Sequence, residues 1–145
     1  MTNGKGQGRT EKLLKTMREW QGIERHSIET TTKIMERTDN LLIRQIMEII
    51  RNDSVQHHRV QQFIIDSLTK QPVTLSHDEL AQIWEEIEAH DKMEKKTIQM
   101  AHECKEECQF FVQRALLDYL IADEQKHDFI LQELENFKKN MTKLG

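Results

Sequence analysis

Apolar residues return every three or four positions through most of the chain, and the return is interrupted at three places. The first stripe is Leu13, Leu14, Met17, Trp20, Ile28, Ile34 and Met35; that 3.6-residue period belongs to an amphipathic helix. "RTDN" (37–40) supplies turn and capping residues, after which a second stripe carries Leu42, Ile46, Ile49, Ile50, Val60 and Ile64. Beyond Pro72, Ser76 and Glu79 have the spacing of a capping box, followed by Leu80, Ile83, Trp84, Ile87, Ile98 and Ala101. The fourth stripe holds Phe111, Leu116, Leu120, Ile130, Leu134 and Phe137. The pattern predicts helices over about 10–37, 41–67, 78–105 and 109–140, with Thr10 as the first N-cap. The last turn is expected near Cys104–Phe110, although no Gly or Pro marks it.

Strand-like alternation is missing, glycine after residue 8 occurs only at 22 and 145, and Pro72 is the single proline. An all-α fold follows. With 145 residues the chain supports one domain over 10–143, after a polar, glycine-rich tail at 1–9 expected to be disordered. Four helices of this length are expected to pack as an antiparallel four-helix bundle. A net charge of −4, without a basic stripe interleaved with aromatics, argues against a nucleic-acid partner. No apolar run is long enough to span a membrane, and the polar start lacks the apolar core of a signal peptide, so a cytoplasmic location is the default expectation. Cys104 and Cys108, four apart, have neither a disulfide framework nor a CxxC spacing.

Each stripe is interrupted by polar residues on its apolar side. These are Glu24 in the first helix, Asp53 and His57 in the second, Glu94 after His90 in the third, and Asp123, Glu124 and His127 in the fourth. Residues three or four apart share a helix face, so Glu124 and His127 point into one space. A shift of 70 residues superposes Glu24 on Glu94, Asp53 on Asp123 and His57 on His127. Only seven positions of the 43 paired between 24–66 and 94–136 are identical, yet three of the seven are these polar residues. Glu24 and His57 also lie about equally far from the first turn, at ~1.5 Å per residue, so the polar groups are expected to form a layer at mid-height. Unpaired carboxylates in a low-dielectric core cost several kcal/mol each. No Lys or Arg on the same faces balances them, whereas a divalent metal would, and oxygen-rich ligands with one imidazole per ion suit iron or manganese better than a structural zinc.

At this point the chain resembles the ferritin-like, rubrerythrin-type di-iron carboxylate proteins, over about residues 12–138. That family takes one Glu from each of two helices and a Glu-x-x-His from each of the other two. Glu24 and Glu94 match the lone carboxylates, and "EQKH" (Glu124–His127) matches one motif. In the second helix His57 matches, but Ser54 stands where the motif has its Glu. The resemblance implies metal ligands Glu24, His57, Glu94, Glu124 and His127, holding one or two iron ions per chain, with manganese or zinc as substitutes. It also implies that Asp123 orients His57 and Asp53 orients His127 by accepting the second ring N–H. His90, one turn before Glu94, is read as packing rather than ligating, and with Ser54, Asp53 and Asp123 is placed among the residues that surround and support the ligands.

A ferritin-like site needs the second and third helices parallel. The second is then expected to stop near 66 and the third to start near 79, so that an extended "SLTKQPVTLSHD" makes a long crossover. Hairpins exchanged between two subunits, or a plain up-down bundle, are the alternatives. The function implied is a rubrerythrin-like oxidoreductase or peroxidase, or an iron-handling protein. It is expected as a homodimer served by an external electron donor, since no rubredoxin-type Cys pairs are present. The competing expectation is a non-enzymatic helical bundle that binds a partner protein through a degraded site.

Overall fold

The computed structural model describes the backbone over residues 3–144 and side chains over 4–140. Four helices account for nearly all of it: α1 (Asn3–Arg37), α2 (Leu41–Thr69), α3 (His77–Glu107) and α4 (Phe111–Leu144), with no strand among the described residues. The chain divides between Val73 and Thr74 into two compact units, each a helical hairpin.

In the first unit the cross-helix contacts run in opposite order along the two helices. Arg51 meets Thr32, Ser54 meets Ser27, His57 meets Glu24 and Gln62 meets Gln21, so α1 and α2 are antiparallel. In the second unit Asp118 meets Lys105, His127 meets Glu94 and Lys138 lies over Trp84, which makes α3 and α4 antiparallel as well. Both turns are closed by the same device. Arg44 donates Nη1 to the carbonyls of Met35 and Thr38, and Arg114, 70 residues on, donates Nη1 to those of Lys105 and Cys108. These carbonyls lie at a helix end and its turn, where the intrahelical ladder runs out; that of Lys105 also accepts the Cys108 N–H at 3.2 Å.

Asn40 caps α2 by accepting from the Leu42 and Ile43 N–H groups at 3.0 and 3.1 Å. Ser76 and Glu79 form the reciprocal capping box expected for α3. Thr10 is not a cap: its hydroxyl donates to the Gly6 carbonyl inside α1, which continues back to Asn3. Residues 3–9, expected as a disordered tail, are therefore helical. Extending an existing helix needs no new nucleus, so the ladder runs on through the glycines. The helix ends expected for the crossover are also corrected. α2 runs to Thr69 rather than 66 and α3 starts at His77 rather than 79. The segment 70–76 then reaches about 26 Å at full extension. The final turn falls at 108–110, and α4 begins at Phe111 rather than 109.

The residues buried in each hairpin differ from a simple apolar core. In the first they are Met17, Gln21, Glu24, Thr31, Ser54, Gln61 and Ile65; in the second, Leu80, Glu94, Ala101 and Ile121. Many of the stripe residues expected in a core, including Trp20, Ile46, Ile50, Val60, Leu120 and Ile130, remain exposed in the hairpins. The seam between paired helices is narrow and partly polar, so the wide apolar flanks lie beside it.

Candidate metal centre

The second hairpin gathers most of the predicted donors. Glu94 projects from α3 and is only 8% exposed. His127 reaches it from α4, with Nδ1 3.4 Å from Glu94 Oε1 and 3.6 Å from Glu124 Oε2. The i, i+3 spacing of Glu124 and His127 puts both on one helix face, and antiparallel pairing brings Glu94 opposite them. One candidate ligand atom from each of the three lies within 4.8 Å of the others, compact enough for a single cation. Two carboxylates would neutralise a divalent charge, and the imidazole would add one nitrogen; this donor set fits iron or manganese.

His90, on the turn of α3 before Glu94, donates through Nε2 to Glu94 Oε1 at 2.8 Å. The direction is fixed by chemistry, because a carboxylate can only accept. Expected beside the ligands and outside their set, His90 is hydrogen-bonded to one of them. Glu94 Oε1 thus faces two imidazoles, His90 and His127. Asp123, expected to serve an imidazole, pairs with Lys126 at 2.8 Å and lies 3.7 Å from Nε2 of His127 in its own helix.

The first hairpin repeats half of this arrangement. Glu24 is 7% exposed, and His57 presents Nδ1 to its Oε1 at 3.5 Å, the same two atoms as in the Glu94–His127 pair. At the position of Glu124, Ser54 is buried and donates its hydroxyl to Ser27 Oγ at 2.9 Å. At the position of His90 stands Trp20, half-exposed. Asp53 is half-buried. The structure therefore brings Glu24 to His57, and Glu94 to Glu124 and His127, within separate hairpins.

Next to the candidate centre, Asp91 of α3 and Asp128 of α4 face one another. Oδ1 of each is sealed from water with no ordinary donor. A proton shared between them satisfies both oxygens. That hydrogen bond holds Asp91 below its usual value, helped by Lys95, and pushes Asp128 above it, with desolvation adding to the rise. Lys95, 2.9 Å from Asp91, is held above its usual value by that hydrogen bond.

Two features carried no signal that the apolar pattern could reveal. Arg44 and Arg114 were visible only as one of the seven repeat identities, and the His90–Glu94 bond only as an i, i+4 spacing. No helix among the described residues is long and apolar enough to cross a membrane. No family model, curated protein or solved structure matches this chain.

Proposed function

We propose that the protein is a ferritin-like metal-binding protein in which Glu94, Glu124 and His127 hold an iron ion. The observation that carries this reading is the convergence of the three donors within 4.8 Å, around a buried carboxylate whose Oε1 faces two imidazoles. Iron bound with open coordination positions supplies dioxygen or peroxide activation, or ferrous–ferric cycling during iron handling. In this reading the two carboxylates neutralise the ion and orient it, and His127 contributes a neutral ring nitrogen. Manganese or zinc would occupy the same donors, and an external electron donor would serve any redox turnover.

The finer form of the proposal is a di-iron type site completed by Glu24 and His57 in a four-helix bundle. A ferritin-like arrangement requires parallel α2 and α3, hence a crossing of roughly 45 Å at ~1.5 Å per helical residue. Residues 70–76 reach about 26 Å. The form of the bundle compatible with that reach is a homodimer that exchanges hairpins, which would also cover the exposed apolar flanks.

Protein purified from iron-supplemented medium is expected to contain about one transition-metal ion per chain. Glu94→Ala and His127→Ala are expected to lose it. Metal-free wild type that gains no stability from added iron, manganese or zinc would end the proposal. A second reading, a non-enzymatic bundle that engages a protein partner, is favoured by the Ser54–Ser27 hydrogen bond, which fills the position of a bridging carboxylate with a neutral pair. That same titration separates the two.

A further inference from the structure

We infer that His90 is a positioning residue for the metal centre, acting through Glu94; the inference rests on the metal-binding reading above. Glu94 and His90 stand one helical turn apart on one face of α3, and the 2.8 Å bond from His90 Nε2 ends on Oε1, the oxygen that also faces His127 Nδ1. A glutamate side chain has three rotatable torsions, and an ion must find them already set or bear the cost of setting them. His90 sets them beforehand from the protein side. The bond is charge-assisted, so it is shorter and stronger than a neutral one. It also leaves the carboxylate free to ligate, since each carboxylate oxygen has more than one acceptor site.

The geometry separates this role from that of a ligand. His90 does not belong to the group of donors that converge within 4.8 Å, although its neighbour Glu94 does. A purely packing role is also a poor fit, because the His90 side chain is 56% exposed. The repeat supplies an internal contrast. At the equivalent place in the first hairpin Trp20 offers no imidazole to Glu24, and there the third donor has been replaced by Ser54. The orienting histidine occurs in the hairpin that has all three donors.

The test uses the full chain, with Co(II) as the probe because its visible absorption reports its ligand field. His90→Ala is expected to weaken Co(II) binding by about 10–100-fold, the usual loss when a group orienting a metal ligand is removed. The metal-free variant should stay folded with a somewhat lower thermal unfolding midpoint, because the buried Glu94 carboxylate loses a donor. His90→Gln keeps an N–H donor at nearly the same reach and is expected to restore binding to within about threefold of wild type. Equal affinity in His90→Ala and wild type would overturn the inference. So would His90→Gln as weak as His90→Ala. Wild type that takes up no Co(II) overturns the metal reading itself, whereas the other outcomes leave that reading standing and reject only His90.

Discussion

The two hairpins share a scaffold and differ in chemistry. Each is closed by an arginine that reaches back over its turn, and each sets a buried Glu Oε1 against a His Nδ1 across the seam, at 3.5 and 3.4 Å. Among the positions that differ, four bear on the chemistry: Trp20 against His90, Ser54 against Glu124, Gln21 against Asp91 and His58 against Asp128. In the first hairpin those places carry no carboxylate: Ser54 donates to Ser27, Gln21 donates to the His58 backbone carbonyl, and Arg25 Nη1 lies 3.1 Å from His58 Nε2. In the second they are acids and an imidazole. Under the metal-binding proposal the cost of a buried charge frames the contrast: the hairpin with two carboxylates would need a cation, and the one with a serine in place of the second would not.

The largest effect expected from this contrast lies in metal content. Glu94→Ala should reduce it from about one ion per chain to none, whereas Glu24→Ala should leave at least one, measured by elemental analysis of purified protein. Equal losses in the two variants would erase the distinction between hairpins. Ser54→Glu makes the converse change by rebuilding Glu-x-x-His beside His57. Metal-free, this variant buries a second carboxylate against Glu24 and should lose about 2–4 kcal/mol in urea unfolding. With iron or cobalt it should recover that loss and bind one further ion. A variant as stable as wild type without metal would show that the first hairpin seam is wetter than its burial implies.

How much of this was legible follows from where each signal resides. Helix type, the α1–α2 turn, the start at Leu41 and the Ser76–Glu79 capping box are all local patterns, and the structure reproduces them. The inward placement of Glu24 and Glu94 was also readable, because helical periodicity alone puts them opposite His57 and His127. The turn at 108–110 also falls inside the expected Cys104–Phe110 span, although an arginine in the following helix marks it rather than Gly or Pro. Two features were not legible. α1 extends back over Gly4, Gly6 and Gly8, where propensity argued for a tail. The narrow seam, which leaves Trp20 and Ile50 exposed while burying Gln21 and Gln61, depends on how closely two helices approach, and one stripe does not encode that.

The shared scaffold makes a smaller prediction, of equality. Arg44→Ala and Arg114→Ala each remove two hydrogen bonds to carbonyls at the turn, and each should cost about 1 kcal/mol in urea unfolding. A difference larger than about 0.5 kcal/mol would mean that the two turns only look alike. Asn40→Ala and Ser76→Ala provide a calibration, since loss of an N-cap also costs about 1 kcal/mol.

The smallest effect is a pH dependence confined to the second hairpin. Asp91 is held below its usual value chiefly by the hydrogen bond from Asp128, so its stabilisation is present above the ordinary carboxylate range and is lost as pH falls through its lowered pKa. Asp128 is pushed above its usual value chiefly by the same bond, so its stabilisation is present below the ordinary range and is lost as pH rises through its raised pKa. Together the folded pair holds one proton where the unfolded pair holds two below the ordinary aspartate pKa and none above it. The contribution therefore peaks near that pKa and declines on both sides. Asp128→Asn keeps a donor for Asp91 but no longer titrates, so the decline on the alkaline side should flatten in urea midpoints measured from pH 4 to 7. The first hairpin has a glutamine at the place of Asp91, and Gln21→Glu should leave the acid pair's own profile in the second hairpin unchanged. If Asp128→Asn leaves the wild-type slope intact, the two carboxyls do not share a proton, and the contrast between the hairpins then rests on the metal donors alone.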